Sequence, residues 1–377
     1  MSYNFNNKDY GEYFSAVEKR LNKEKNSESE SLTNRSHASE PNRKPKKIYG
    51  GVFRLRPWVF AAVAALLIIV LAVAFWPKKA KADEGNVLSD SGSVQNTARA
   101  VKDEKAENLF ALADANTAQI GSDIQSECVI VVNCDTNKIA AERNSTQKCY
   151  PASTTKIMTL LTAVENIKNY DDTFTFSYEI TDPFFIQNAT MAGFSNGESV
   201  NMTDMLYGTI LPSGADACAG LAIKIAGSEE EFVKLMNKKA DELGLKNTHF
   251  TNATGLFDKD HYTTPEDMAV IVRAAMKNEL CKKVLSAYQY TTEATPQHPE
   301  GILLTSTLFG HMYGTEPEGA DILGGKTGFV SESGYCIASF GKSESENGAD
   351  YVCVTFKGNG LWTTIYDQIN LYTQYAK

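Results

Sequence analysis

Ser153 and Lys156 are the residues whose types and spacing most directly suggest chemistry. Residues three apart share one face of a helix, so the amine and the hydroxyl can meet. A serine hydroxyl is a poor nucleophile at neutral pH, but an amine that is partly desolvated or beside another cation can stay neutral and take its proton. The pair therefore predicts a serine nucleophile with a lysine base, although many helices match this spacing by chance.

Two further short segments strengthen this hypothesis. Ser213-Gly214-Ala215 and Lys326-Thr327-Gly328 follow the first pair in the order in which the motifs of penicillin-recognising serine enzymes occur. Seen alone, the first segment is compatible with a helix N-cap and the second with a strand end that carries a solvated lysine. Their order along the chain favours one shared catalytic site.

Hydrophobic periodicity predicts the elements that must position these residues. Cys128–Asn144 contains two apolar strands around the turn Asp135–Lys138, which indicates a β-hairpin. Near the end of the chain, 335–340 and 351–357 predict a second hairpin that completes the same sheet. Helical patterns, with apolar residues three and four apart, cover 154–166, 203–210, 215–226, 229–243, 264–276 and 361–376.

The composition limits the number of domains and the possible partners. With 377 residues, the chain has room for one large domain or two ordinary ones. Its net charge of -9 is unevenly distributed, because residues 1–57 hold twelve Lys/Arg and seven Asp/Glu, or +5, which leaves -14 for the remainder. An acidic remainder argues against a nucleic-acid partner, since phosphate binding needs clustered cations.

An uncharged segment of nineteen residues, Trp58–Trp76, predicts a transmembrane helix. Six basic residues shortly before the segment outnumber the three that follow it, which favours a cytoplasmic N-terminus. We therefore expect a single-pass membrane protein with an extracytoplasmic catalytic part. A cleaved signal peptide is the alternative, because Ala80-Lys81-Ala82 has the form of a cleavage site. A buried core helix does not fit a segment that is apolar on all sides.

These features divide the chain into four parts. Residues 1–57 are expected to form a disordered, basic cytoplasmic tail, and 58–76 the transmembrane helix. Residues 77–118 are rich in Lys, Asp, Glu, Ser and Asn and are expected to form a polar linker or stalk. Residues 119–377 are expected to form the catalytic domain.

Cysteine and histidine residues do not indicate a metal site. The seven cysteines are an odd number without a Cys-x-x-Cys pair, so neither a zinc ribbon nor a fully paired disulfide framework is predicted. Scattered cysteines on apolar segments are typical of small core residues rather than of nucleophiles. His249 and His261 lack the spacing of a zinc peptidase, and no metal or organic cofactor is predicted.

The chain resembles the serine D-alanyl-D-alanine carboxypeptidases, which are low-molecular-mass penicillin-binding proteins of the penicillin-recognising serine peptidase superfamily. The likeness covers about 120–377 and is carried by Pro151–Thr159, Thr248–Leu256, His261–Thr264, Asp267–Ala269 and Gly324–Phe329. It implies an α/β fold of the α+β type, the β-lactamase/transpeptidase-like fold, with a five-stranded antiparallel sheet flanked by helices. A helical subdomain would be inserted between the Ser153 helix and the Lys326 strand, with the site in the cleft between them.

The resemblance also implies the catalytic roles. Ser153 would attack the carbonyl between two D-alanines, release the last one and leave an acyl-enzyme that water then hydrolyses. Lys156 would be the general base, and Ser213 would relay a proton between the two lysines and the leaving amine. Lys326 would supply a fixed cation that keeps Lys156 neutral and binds the terminal carboxylate, with Thr327 as a second donor.

The remaining implications concern substrate binding. Gly328 would let the substrate backbone approach an edge strand, and the backbone N–H groups of Phe329 and Ser153 would form the oxyanion hole. The expected partners are peptidoglycan stem peptides that end in D-Ala-D-Ala, β-lactam antibiotics as covalent inhibitors and, through residues 58–76, the membrane.

One position departs from the family's pattern. The second motif usually ends in an asparagine whose amide helps to hold the substrate, whereas this chain has Ala215. A weakly active or inactive protein that binds penicillin or wall peptides is therefore a second hypothesis. A β-lactamase is the third, because Glu165–Asn169 faintly echoes the glutamate motif of class A enzymes. That motif belongs after the second signature, so its place in this chain argues against the third hypothesis.

Overall fold

The computed structural model describes residues 109–312, 314–345 and 348–377. The predicted tail 1–57, the membrane segment 58–76 and most of the predicted linker 77–118 lie outside these residues and stay predictions. Within the described ranges, no helix is long and apolar enough to cross a membrane.

The strands of the described chain are β1 Ala118–Gln119, β2 Cys128–Asn133, β3 Lys138–Arg143, β4 Thr173–Thr175, β5 Ser199–Asn201, β6 Gln289–Thr291, β7 Leu303–Thr305, β8 Ala320–Val330, β9 Gly334–Ser343 and β10 Asp350–Gly358. The helices are α1 Lys156–Asn166, α2 Tyr178–Ile186, α3 Met202–Ile210, α4 Ala215–Ala226, α5 Glu229–Glu242, α6 Pro265–Lys277, α7 Glu279–Leu285, α8 Thr307–Met312 and α9 Leu361–Tyr375. Strands β1 to β3 precede all of these helices, and β8 to β10 follow α8.

The large sheet has the strand order β1-β3-β2-β10-β9-β8. From β3 to β8 every neighbouring pair is antiparallel, as the resemblance implies for five strands. The two-residue β1 adds a sixth strand, parallel to β3, which the sequence did not predict. The two predicted hairpins are present as β2–β3 and β9–β10, and β8 forms one edge of the sheet.

The two faces of β2 belong to two different cores. Cys128, Ile130 and Val132 pack into the large core that contains α1 and α6, whereas Val129 and Val131 pack with α9 on the opposite face. Side chains alternate between the faces of a strand, so a continuous apolar strand indicates burial on both sides. The sheet therefore lies between two helical layers.

Packed residues begin before the predicted domain boundary at 119. Leu109 and Ala111 are buried in the large core. The Arg273 guanidinium on α6 donates hydrogen bonds to the Leu109 carbonyl oxygen and, at 2.8 Å, to Asn137 Oδ1. Leu109–Ala113 is a short apolar run between polar segments, and so few apolar residues do not produce a periodic signal.

Helices α2 to α5 and the small sheet β4–β5 form the insertion between α1 and α6. Asn201, Ser228 and Thr264 each accept a hydrogen bond from a backbone N–H three residues later, and these caps begin α3, α5 and α6. Helix α2 has no counterpart among the predicted helices, because it buries no residue and contains Pro183.

Candidate active site

The predicted nucleophile lies on a tight turn at the start of a helix. Ala152–Thr155 forms one turn of 3-10 helix, and α1 begins only at Lys156, so the predicted helix 154–166 starts with a tighter turn than expected. Ala152 has a φ of +48°, which is uncommon for a residue other than glycine. Such a conformation persists only where the surrounding structure holds it in place.

Two glycines from distant segments contact this turn. A Cβ at Gly255, where φ is +80°, would lie 1.9 Å from the Ala152 carbonyl oxygen. A Cβ at Gly328 would lie 2.7 Å from the Ser153 nitrogen. Only glycine allows a backbone approach as close as this. The resemblance implies a role for Gly328 toward substrate alone, whereas in the structure its missing side chain makes room for the nucleophile's turn.

Lys156 contacts the nucleophile directly. Its Nζ donates hydrogen bonds to Ser153 Oγ at 3.0 Å and to the Thr254 carbonyl oxygen at 2.6 Å. The side chain is 2 % exposed, and burial lowers the pKa of its amine. A buried amine with a lowered pKa, in contact with a serine hydroxyl, can act as a general base.

Lys326 is a second buried lysine near Lys156. It is 1 % exposed, and its Nζ donates to the Thr327 carbonyl oxygen at 2.8 Å. Burial lowers the pKa of Lys326 well below its usual value, and repulsion by the charge of Lys156 lowers it further. The role of Lys326 as a fixed cation therefore stays a prediction.

A cleft of about 540 Å³ brings several predicted residues together. Ser153, Lys156, Ser213 and Phe329 line it, whereas Lys326, Thr327 and Gly328 are not among the lining residues. Its walls come from the nucleophile's turn, the loop after α2, the loop before α4, the segment before α6 and the end of β8. The lining positions are 153, 156, 187–190, 213, 215, 254–257 and 329–332.

Ser213 is held in an unusual backbone conformation, with a φ of +70°, and is 7 % exposed. Helix α4 has Gly214 as its N-cap residue and no side-chain cap bond, so the segment does begin a helix but the Ser213 hydroxyl does not cap it. Among the described residues the Ser213 hydroxyl has no hydrogen-bond partner. A hydroxyl on the cleft wall without such a partner can bond with a ligand and relay a proton.

Asn252 and Thr254 support the site, although the sequence analysis gave them no role. Asn252 Oδ1 accepts hydrogen bonds from the backbone N–H groups of Thr254 at 3.2 Å and Gly255 at 2.7 Å. This Asx turn fixes the Thr254 carbonyl group that binds Lys156. The available signal was an asparagine three residues before a glycine, which is a local turn pattern.

His261 is buried beside the nucleophile's turn. Its Nδ1 accepts a hydrogen bond from the Thr251 N–H at 3.2 Å, which leaves Nε2 as the donor to Thr155 Oγ1 at 2.8 Å. Burial lowers the pKa of His261 to about 4. At neutral pH the imidazole is therefore an uncharged group that positions the turn.

We expect the stability of the domain to fall as the pH drops from 6.5 to about 4, because the unfolded chain then binds a proton at His261 that the folded chain does not. The contribution of His261 to the free energy of unfolding is complete above pH 6.5, which is the pKa of this side chain in the unfolded chain. It amounts to about 3 kcal/mol. Thermal unfolding measured against pH for the parent and for His261→Gln checks this, since the variant should lose less stability over that range. Equal pH slopes in the two proteins would contradict it.

Other candidate residues lie away from the cleft. Glu165 Oε2 bonds Lys239 Nζ on α5 at 2.5 Å and does not line the cleft, so its position does not support the lactamase motif. The seven cysteines are all free, and six of them are buried. Within the described ranges, no group of three His, Cys, Asp or Glu side chains could hold a metal ion.

The sheet, the helical insertion and the contact between Ser153 and Lys156 define the class of protein as serine hydrolases with a lysine base. The profile of the D-alanyl-D-alanine carboxypeptidase family, peptidase S11, matches residues 113–359. The chain belongs to this family.

Individual relatives agree with that assignment. The D-alanyl-D-alanine carboxypeptidase DacF of Bacillus subtilis is 32 % identical over 238 residues, which cover 63 % of this chain and 59 % of DacF. The D-alanyl-D-alanine carboxypeptidase of Streptomyces sp. strain K15 is 33 % identical over 53 % of this chain and 69 % of its own length. The crystal structure of the Streptomyces K15 DD-transpeptidase is similar with a TM-score of 0.58 and 27 % identity, over 67 % of this chain and 97 % of that one.

Proposed function

We propose that this protein is a serine-type D-Ala-D-Ala carboxypeptidase that removes the terminal D-alanine from peptidoglycan stem peptides and is acylated by penicillins. The observation that carries the proposal is the 3.0 Å contact between Lys156 Nζ and Ser153 Oγ on a cleft that a peptide end can enter. Family membership supports the substrate class.

Acylation begins when Lys156 takes the proton of Ser153 and the serine oxygen attacks the carbonyl between the two D-alanines. As the C–N bond breaks, the Ser213 hydroxyl gives its proton to the leaving amine and takes the proton that Lys156 removed from Ser153, because it lines the same cleft and can both donate and accept. The backbone N–H groups of Ser153 and Phe329 hold the carbonyl oxygen as it becomes negative. Water repeats the sequence on the acyl-enzyme and releases the shortened peptide.

The two lysines respond to the substrate's terminal carboxylate. In the empty site, burial disfavours the charged form of both amines. A carboxylate bound near Lys326 favours the ammonium form there, and that charge in turn favours the neutral form of Lys156. Substrate binding thereby prepares the base for the chemical step. Penicillin also carries a carboxylate and acts on the pair in the same way.

The location of the protein belongs to the same proposal. Residues 58–76 anchor the chain in the bacterial cell membrane as a single pass, and residues 1–57 lie in the cytoplasm. A linker over 77–108 connects the anchor to an extracytoplasmic catalytic domain, whose buried residues begin at Leu109. The mass of the mature protein separates this topology from a cleaved signal peptide, since cleavage after Ala82 removes the anchor.

The test is a paired measurement on the full chain. The protein is expected to release D-alanine from a peptide that ends in D-Ala-D-Ala and to gain the mass of one penicillin molecule. An adduct without D-alanine release would favour the binding protein that the Ala215 departure suggests. Rapid and complete hydrolysis of the drug would favour a β-lactamase, and a protein without either reaction would overturn the proposal.

A further inference from the structure

The loop after α2 is fixed onto the segment that contains Ala215. The Ala215 N–H donates to the Thr190 carbonyl oxygen at 2.8 Å. The carboxylate of Asp216, which is fully buried, accepts from the N–H groups of Ala192 at 2.7 Å and Gly193 at 3.0 Å. This loop is therefore a preformed wall of the cleft rather than a peripheral connection.

Asn188 stands out within that wall. Its φ is +52°, in the left-handed region, and its side chain is exposed on the cleft. The neighbouring Gln187 side chain, in contrast, donates from its Nε2 to the Pro183 carbonyl oxygen at 3.0 Å. The Asn188 carboxamide has no hydrogen-bond partner among the described residues. It is a polar group with both a donor and an acceptor available to a ligand.

The peptide substrate offers a matching group. A peptide unit has one N–H and one C=O, which a carboxamide can bind with its own oxygen and nitrogen. In a peptide that ends in D-Ala-D-Ala, every peptide unit other than the one being cleaved lies on the acyl side, since the leaving D-alanine carries only its carboxylate. The methyl group of Ala215, on the same cleft, makes no such hydrogen bond.

We propose that the Asn188 carboxamide binds a peptide unit on the acyl side of the substrate. This inference rests on the proposed carboxypeptidase function. The backbone contacts at Thr190, Ala192 and Gly193 fix the loop, so binding does not have to order the backbone that carries Asn188. The same amide group is present in the acylamino side chain of benzylpenicillin and absent from 6-aminopenicillanic acid.

The variant Asn188→Gly tests the proposal, because glycine keeps the positive φ without strain and removes only the side chain. In the full chain we expect KM for a D-Ala-D-Ala peptide to rise about tenfold with kcat little changed, since the contact is made in both ground and transition states. Asn144→Gly is the matched control. Asn144 also has a positive φ, of +50°, and does not line the cleft. An unchanged KM in Asn188→Gly, or an equal rise in Asn144→Gly, would overturn the proposal.

A second measurement separates a lost contact from a displaced loop. Asn188→Gly should slow acylation by benzylpenicillin and leave acylation by 6-aminopenicillanic acid unchanged. Equal slowing with both compounds would mean that the loop itself had moved and would overturn the role of the carboxamide. The rate of acylation also reports on the contact of Asn188 in a protein that releases no D-alanine. Failure of this inference can therefore be distinguished from failure of the proposed peptidase activity.

Discussion

The Ser153→Ala protein is expected to release D-alanine at least about a thousandfold more slowly than the parent and to form no covalent adduct with penicillin. The reason is that the hydroxyl 3.0 Å from Lys156 Nζ is the only atom proposed to form the acyl bond. Binding groups on the cleft stay in place, so the variant should still bind substrate. Initial rates of D-alanine release and the intact mass after penicillin treatment measure the two effects.

Ser331→Ala is the matched control for this experiment. Ser331 lines the same cleft, is exposed, and is not placed in the proton-transfer path. The same change of hydroxyl to hydrogen should therefore leave both reactions close to those of the parent. A Ser153→Ala protein that kept its adduct and its D-alanine release would remove Ser153 as the nucleophile.

The Gly255→Ala protein is expected to lose D-alanine release by about a hundredfold, because a displacement of about 1 Å at a reacting group costs that much. The new Cβ would lie 1.9 Å from the Ala152 carbonyl oxygen, so the turn that carries Ser153 must move. We also expect a lower Tm, since alanine is strained at a φ of +80°. Kinetics and thermal unfolding on the same preparation measure both effects.

Gly227→Ala separates backbone strain from displacement of the turn. Gly227 has a similar φ of +86°, but a Cβ there would meet nothing within 4 Å. This variant should lose about 1 kcal/mol of stability through strain and keep its activity. If both variants lost the same stability and both kept activity, the contact between Gly255 and the turn would not matter for catalysis.

Local patterns were sufficient to predict much of the scaffold. The hairpin β2–β3 and the helices α4, α5 and α6 follow from alternation and from helical periodicity, and the structure has them near the predicted bounds. The motif residues Ser153, Lys156, Ser213 and Phe329 do meet on one cleft. These residues could be found because type and order along the chain are properties of the sequence itself.

The features of the site that could not be predicted from the sequence depend on contacts between distant segments. The burial of Lys326, and hence its lowered pKa, requires the folded sheet and helices around it. The role of Thr254 lies in a backbone carbonyl, which is the same in every residue type. The loop that carries Asn188 follows α2, a helix without a buried face and therefore without a periodic signal.

The Ser153 turn packs between Gly255 and Gly328, so its proposed reactivity with penicillin depends on the native fold. The base and the carbonyl group that orients it are 98 residues apart in sequence, and β8 is more distant still. In an unfolded chain Lys156 is solvated and protonated at neutral pH, so Ser153 there is an ordinary alcohol. If penicillin acylates Ser153 as proposed, covalent labelling is therefore expected to count natively folded molecules, and partly folded chains are expected to stay unlabelled even when their secondary structure is intact.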